Sequence, residues 1–63
     1  MSLGENIKKR RQQRKLTQED FALQIGVGRS MLCQIERGTK IPNMILGKEI
    51  ARKLDCTMDE LVN

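Results

Sequence analysis

Gly26 is the residue that most limits what this chain can fold into. Upstream of it, Thr17 is a good helix N-cap, and Gln18, Glu19 and Asp20 supply polar and acidic side chains where the helix dipole favours them. Phe21, Ala22 and Ile25 then share one apolar face. Gly26, a residue that adopts positive φ freely, stops the helix after about two turns. So short a helix is not stable by itself in water. It must pack against others.

The remaining segments have the same punctuation. Residues 29–37 hold no Gly or Pro and carry Leu32 and Ile35 with Met31 beside them, and Gly38 closes the run. Ser2-x-x-Glu5 and Thr57-x-x-Glu60 have capping-box spacing and open a first and a fifth helix. The first has a thin inward stripe of Leu3, Ile7, Arg11 and Arg14, and is expected to end near residues 14–15. The fifth carries Met58, Leu61 and Val62. Thr39-Lys40-Ile41-Pro42 is a loop, and Asn43 caps a fourth helix with Met44, Ile50, Ala51 and Leu54 as its expected inward set. Gly47 weakens that helix by about 1 kcal/mol relative to Ala. No segment alternates as a half-buried strand would. The expectation is an all-α chain of five short helices, one domain over residues 1–63.

Charge is distributed unevenly. Residues 1–15 sum to +5, whereas residues 16–63 sum to −1. A basic end suits a polyanion partner, and it also suits a solvated helix face. Phe21 is the sole aromatic residue, which argues against stacking on single-stranded nucleic acid. Cys33 and Cys56 lack CxxC spacing and there is no histidine, so no zinc site is expected. The same inventory has no catalytic pairing of groups and no phosphate loop, so the chain is not expected to be an enzyme or to carry a cofactor. No apolar run approaches about 18 residues and no signal segment opens the chain, making the cytoplasm the expected location.

Two helices joined through a tight glycine turn, at residues 17–37, form a helix-turn-helix. Here the chain resembles the lambda-repressor-like (Cro-type, XRE) family of DNA-binding regulators. The residues that carry the resemblance are Leu16-Thr17-Gln18-Glu19, Ala22, Gly26, Ile35-Glu36-Arg37-Gly38, Ile41-Pro42 and Ile50-Ala51-x-x-Leu54. It extends from Ile7 to Val62.

The resemblance implies that the third helix lies in the major groove of double-stranded DNA and presents Arg29, Ser30, Cys33 and Gln34. Arg pairs bidentately with guanine and Gln with adenine. Arg29 and Gln34 are therefore the expected base readers, with a phosphate contact as the other role for Arg29 and a water-facing amide for Gln34. Ser30 is a secondary reader or a phosphate contact. Cys33 lies on the same face, either as a small tolerated side chain or as a redox-sensitive thiol. Phosphate contacts are expected from Thr17, Gln18, Arg37, Thr39 and Lys40. A similar family position suggests an ion pair between Arg11 and Glu36, against which stands separate solvation of the two charges. Cys56 matches a small apolar core position.

The chain departs from the family pattern in several places. Arg10 and Lys15 stand where an apolar residue and a glycine are usual, so Lys15 takes a left-handed turn or the first helix ends differently. Gly47-Lys48 replace a leucine pair while Ile45 and Leu46 are apolar, so the fourth helix is rotated or those two face a partner. Asp55 replaces a Gly or Asn. The function expected is a sequence-specific regulator, a repressor binding a palindromic operator as a homodimer through helices 4–5 and the C-terminal end. Met58, Leu61, Val62, Ile45 and Leu46 are its candidate contacts. The alternative is a small protein-interaction module, such as an antitoxin partner, with secondary DNA binding.

Overall fold

The computed structural model describes residues 2–62. Its elements are α1 (Leu3–Gln13), α2 (Gln18–Ile25), α3 (Arg29–Arg37), α4 (Met44–Lys53) and α5 (Met58–Val62), with no strand among the described residues. Local capping starts four of these helices, α1, α2, α4 and α5, where the sequence predicts. The Ser2 hydroxyl accepts from the Glu5 N–H and the Glu5 carboxylate accepts from the Ser2 N–H, each at 3.2 Å. Thr57 and Glu60 make the same reciprocal pair before α5. Thr17 and Asn43 accept from the N–H groups of Asp20 and Leu46. Gly26 and Gly38 end α2 and α3 at φ 77° and 85°, left-handed values that cost a glycine nothing.

Phe21, Ala22 and Ile25 of α2 meet Leu32 and Ile35 of α3, Ile7 of α1, Ile50, Ala51 and Leu54 from α4 and its end, and Leu61 of α5 in one buried cluster. These ten side chains form the small core that a chain this short can bury. Among the described residues, no helix is long and apolar enough to cross a membrane.

Two polar or small residues of α1 were silent in the sequence. Gly4 lies against the C-terminal turn of α3, where a Cβ would overlap the carbonyl oxygens of Ile35 and Glu36, 2.5 Å from the latter. Asn6 is buried, and its amide donates to the carbonyls of Glu60 and Leu61 at 2.7 and 2.9 Å, tying α5 to α1. Arg10 completes this link by donating to Asn6 Oδ1 at 3.0 Å, which explains a charged residue at a half-buried position. Arg14 similarly donates to the Leu54 carbonyl. Asn6→Ala strips both α5 carbonyls of their donor. Urea unfolding is expected to show a loss of about 2 kcal/mol, the cost of stranded buried acceptors. A loss below about 0.5 kcal/mol would mean that water replaces the amide.

Helix α4 differs from its expected inward set. Ile50, Ala51 and Leu54 are buried, but Met44 is 71% exposed. It sits on the rim of an apolar groove with Leu3, Ile41, Met58 and Val62. Leu46 packs against the core instead of facing outward, whereas Ile45 is 81% exposed. Gly47 is buried because Met58 lies over it: a Cβ there would stand 3.0 Å from the Met58 methyl carbon. Leu61, a candidate surface contact, is in the core. Cys56 is half-buried at the α4–α5 corner, not enclosed, because the corner leaves one side open to solvent. Burial still pushes its thiol up, an effect that Glu60 and Asp55 add to and Arg10 and Arg14 oppose. Lys15 and Asp55 both adopt the left-handed conformation, at φ 58° and 54°.

Candidate nucleic-acid interface

The α2–α3 unit is held at its corner by backbone bonds. The Val27 N–H donates to the Ala22 carbonyl at 3.0 Å and the Gly26 N–H to that of Leu23 at 3.3 Å. Ala22 is buried, as is needed where two helices meet closely. Gly28 then serves as N-cap of α3 without any side-chain bond, and a Cβ there would meet nothing. Its approach to the surface is unobstructed.

Helix α3 divides sharply into two faces. Leu32, Ile35 and Glu36 are buried. Arg29, Ser30, Gln34 and Arg37 are exposed and Cys33 is half-buried, and these five line one shallow surface. Their spacings of one, four, five and eight residues from Arg29 make a stripe along two turns. The C-terminal end of α3 is wrapped by the following loop. The N–H groups of Thr39 and Lys40 donate to the Gln34 carbonyl at 3.0 and 3.3 Å, and the Thr39 hydroxyl donates to it at 3.2 Å. This places Lys40 beside the stripe with a fixed backbone.

Beneath the stripe lies a buried charge network. Arg11 Nε donates to Glu36 Oε2 at 2.7 Å and its Nη2 to Oε1 at 3.1 Å, a two-pronged pair with side chains only 8% and 2% exposed. The third arm, Nη1, donates to the Leu16 carbonyl at 2.6 Å. Gln18 Nε2 donates to Glu36 Oε1 at 3.1 Å. One carboxylate thus links α1, the start of α2 and the end of α3. No buried side-chain nitrogen or oxygen among the described residues lacks a partner.

The network has an electrostatic consequence. Glu36 is the sole acid between residues 24 and 40, and Arg11 neutralises it. The surface of that segment carries Arg29, Arg37 and Lys40, none of them in a salt bridge among the described residues, with Glu19 and Asp20 of α2 lining a depression beside Arg29. Of the other residues expected at the interface, Thr17 accepts the Asp20 N–H as a cap, and Gln18 is half-buried with one amide hydrogen committed to Glu36. That commitment of Gln18 had no sequence signal, since its partner is 18 residues away. Among the described residues there is no group of three or more potential metal ligands.

Comparison with known proteins gives the same unit. A family model described as helix-turn-helix matches residues 7–61. An uncharacterized HTH-type transcriptional regulator of Bacillus subtilis, YazB, is 36% identical over 58 residues, covering 92% of this chain and 84% of the relative. Another such regulator, from Methanothermobacter thermautotrophicus, is 40% identical over 48 residues, covering 76% and 70%. The P22 c2 repressor in complex with a synthetic operator superposes with a TM-score of 0.95 at 28% identity, over 100% of this chain and 96% of that one. The biofilm master regulator SinR, in complex with DNA, gives 0.86 at 27% identity, over 94% and 95%. With the packed α2–Gly26–α3 unit and these matches together, the chain belongs to the helix-turn-helix family of repressor-like, XRE-type transcriptional regulators.

Proposed function

We propose that this chain is a sequence-specific DNA-binding repressor that lays α3 in the major groove of a palindromic operator. The observation that carries this reading is the stripe Arg29, Ser30, Cys33, Gln34 and Arg37, on one face of a helix whose one acid is buried on the other face and neutralised. Arg29 and Gln34 read base edges, with Ser30 and Cys33 between them. Arg37, Thr39 and Lys40 hold the backbone on one side, and Thr17 and Gln18 at the start of α2 hold it on the other. The bound partners of the P22 c2 repressor and SinR, an operator and DNA, support the same ligand class.

Two copies bind, one per half-site about one helical turn apart. The groove rimmed by Ile41, Met44, Met58 and Val62 offers an apolar surface for contact between them, with Ile45 also exposed on α4. A dimer through α4 and α5 uses these residues and leaves α3 free. The protein works in the cytoplasm and catalyses no reaction.

Selection of bound duplexes from a random pool tests the reading and reports half-site spacing. Affinity for the selected duplex is expected to fall by at least about 100-fold between about 50 and 200 mM salt, the part that Arg37 and Lys40 of two copies contribute by releasing counterions. Arg29→Ala and Gln34→Ala each relax the selected motif at one position, at about 1–3 kcal/mol of discrimination. Lys40→Ala weakens all sequences alike. An unchanged motif from Gln34→Ala removes Gln34 as a reader, and affinity indifferent to salt removes DNA as the ligand.

A further inference from the structure

Among the described residues, two non-glycine residues have positive φ, Lys15 and Asp55. Aspartate tolerates this conformation better than most, because its short side chain bonds locally. Lysine has no such compensation, and a glycine would turn the α1–α2 corner without strain. Nor does the fold use the lysine head group. Lys15 is exposed and belongs to neither of the salt bridges found among the described residues. A strained backbone held where packing has no need of the side chain points to a role in binding.

The corner is also firmly placed. The Lys15 N–H donates to the Gln12 carbonyl at 2.9 Å and the Leu16 N–H to that of Arg11 at 3.2 Å. The adjoining Leu16 carbonyl is gripped by the same guanidinium that holds Glu36. Lys15 is therefore next in the chain to a residue tied to the buried bridge, as Arg37 is next to Glu36. Two residues on, Thr17 opens α2.

We propose that Lys15 is a further DNA-phosphate contact of the interface, carried on a strained corner that the fold alone would make with glycine. This rests on the duplex-binding reading above. Lys15 extends the backbone grip to the α1–α2 side of the bridge, where the resemblance to known regulators assigns no cation. It adds affinity to any sequence alike, since phosphate contacts position without reading bases.

The test measures binding to a mixed-sequence duplex, for which phosphate contacts suffice, across about 50 to 200 mM salt. Lys15→Gln is expected to lower the magnitude of the log–log salt slope by about 0.9 per domain bound, or about 3.5-fold less affinity lost over that range. Lys15→Gly is expected to lower it equally while its melting temperature stays at or above the wild-type value, separating binding from folding. Lys8→Gln removes the same charge two turns away on α1 and leaves the slope unchanged. A wild-type slope in Lys15→Gln overturns the proposal, as does an equal flattening by Lys8→Gln, which would assign the effect to net charge. A flat response of the wild type overturns the duplex reading itself and this proposal with it.

Discussion

Glu36→Ala is expected to destabilise the protein by about 3–5 kcal/mol, because it leaves the Arg11 guanidinium buried without its counter-charge. Native stability runs at about 0.05–0.15 kcal/mol per residue, so a 63-residue chain holds about 3–9 kcal/mol in all. The loss therefore removes from about a third to all of that stability. Urea titration followed by far-UV circular dichroism measures the loss. The cost comes from the stranded charge more than from the absence of attraction. Replacing both partners with apolar residues, Arg11→Met with Glu36→Leu, should accordingly recover much of it. The recovery is incomplete, since Gln18 and the Leu16 carbonyl lose partners as well. A loss below about 1 kcal/mol in Glu36→Ala would show that water reaches the site and that the bridge is not a buried one.

Gly4→Ala carries the second large effect. In an exposed helix this substitution gains about 1 kcal/mol, since Ala is the better helix former. Here the added Cβ falls 2.5 Å from the Glu36 carbonyl oxygen and overlaps that of Ile35 as well. Both obstacles are backbone atoms inside a helix, so neither can rotate away. Helix α1 must move off α3, loosening Ile7 and the Arg11–Glu36 pair together. The net loss is expected to be about 2–3 kcal/mol, the upper part of the overpacking range. Gly28→Ala is the comparison: its Cβ meets nothing and its φ of −75° suits any residue, so it should stay within about 1 kcal/mol of wild type. Equal unfolding midpoints for the two variants would mean that α1 and α3 leave room for a Cβ between them.

The two predictions illustrate different degrees of legibility. Glu36 was readable as a partner of Arg11 by resemblance to a family position, and the structure supplies the burial that gives the pair its weight. Gly4 carried no signal at all. Glycine in the first turn of a helix looks like a weak helix residue, and its reason for being small lies on α3, more than 30 positions away. Asn6 is similar: its partners on α5 are 54 and 55 residues distant. The outward set Arg29, Ser30, Cys33 and Gln34 was legible from the family resemblance, together with a helical spacing that turns Leu32 and Ile35 inward. The inward commitment of Gln18 to Glu36 was not legible, because it depends on where α3 ends relative to α2.

What the sequence determined by itself is where helices begin and end. Ser2, Thr17, Asn43 and Thr57 open theirs, and Gly26 and Gly38 close α2 and α3, because capping and left-handed turns involve atoms within a few residues of one another. What only the tertiary structure decided is which side chains those helices cover. Met44 and Leu46 are both apolar and lie two residues apart on α4, yet one lies open on a groove and the other packs on the core. Burial depends on what stands opposite a face, and no local pattern specifies the opposite element. The same reason separates Lys15 from Asp55: their backbones are alike, but only the first stands beside the bridge that joins α1, α2 and α3.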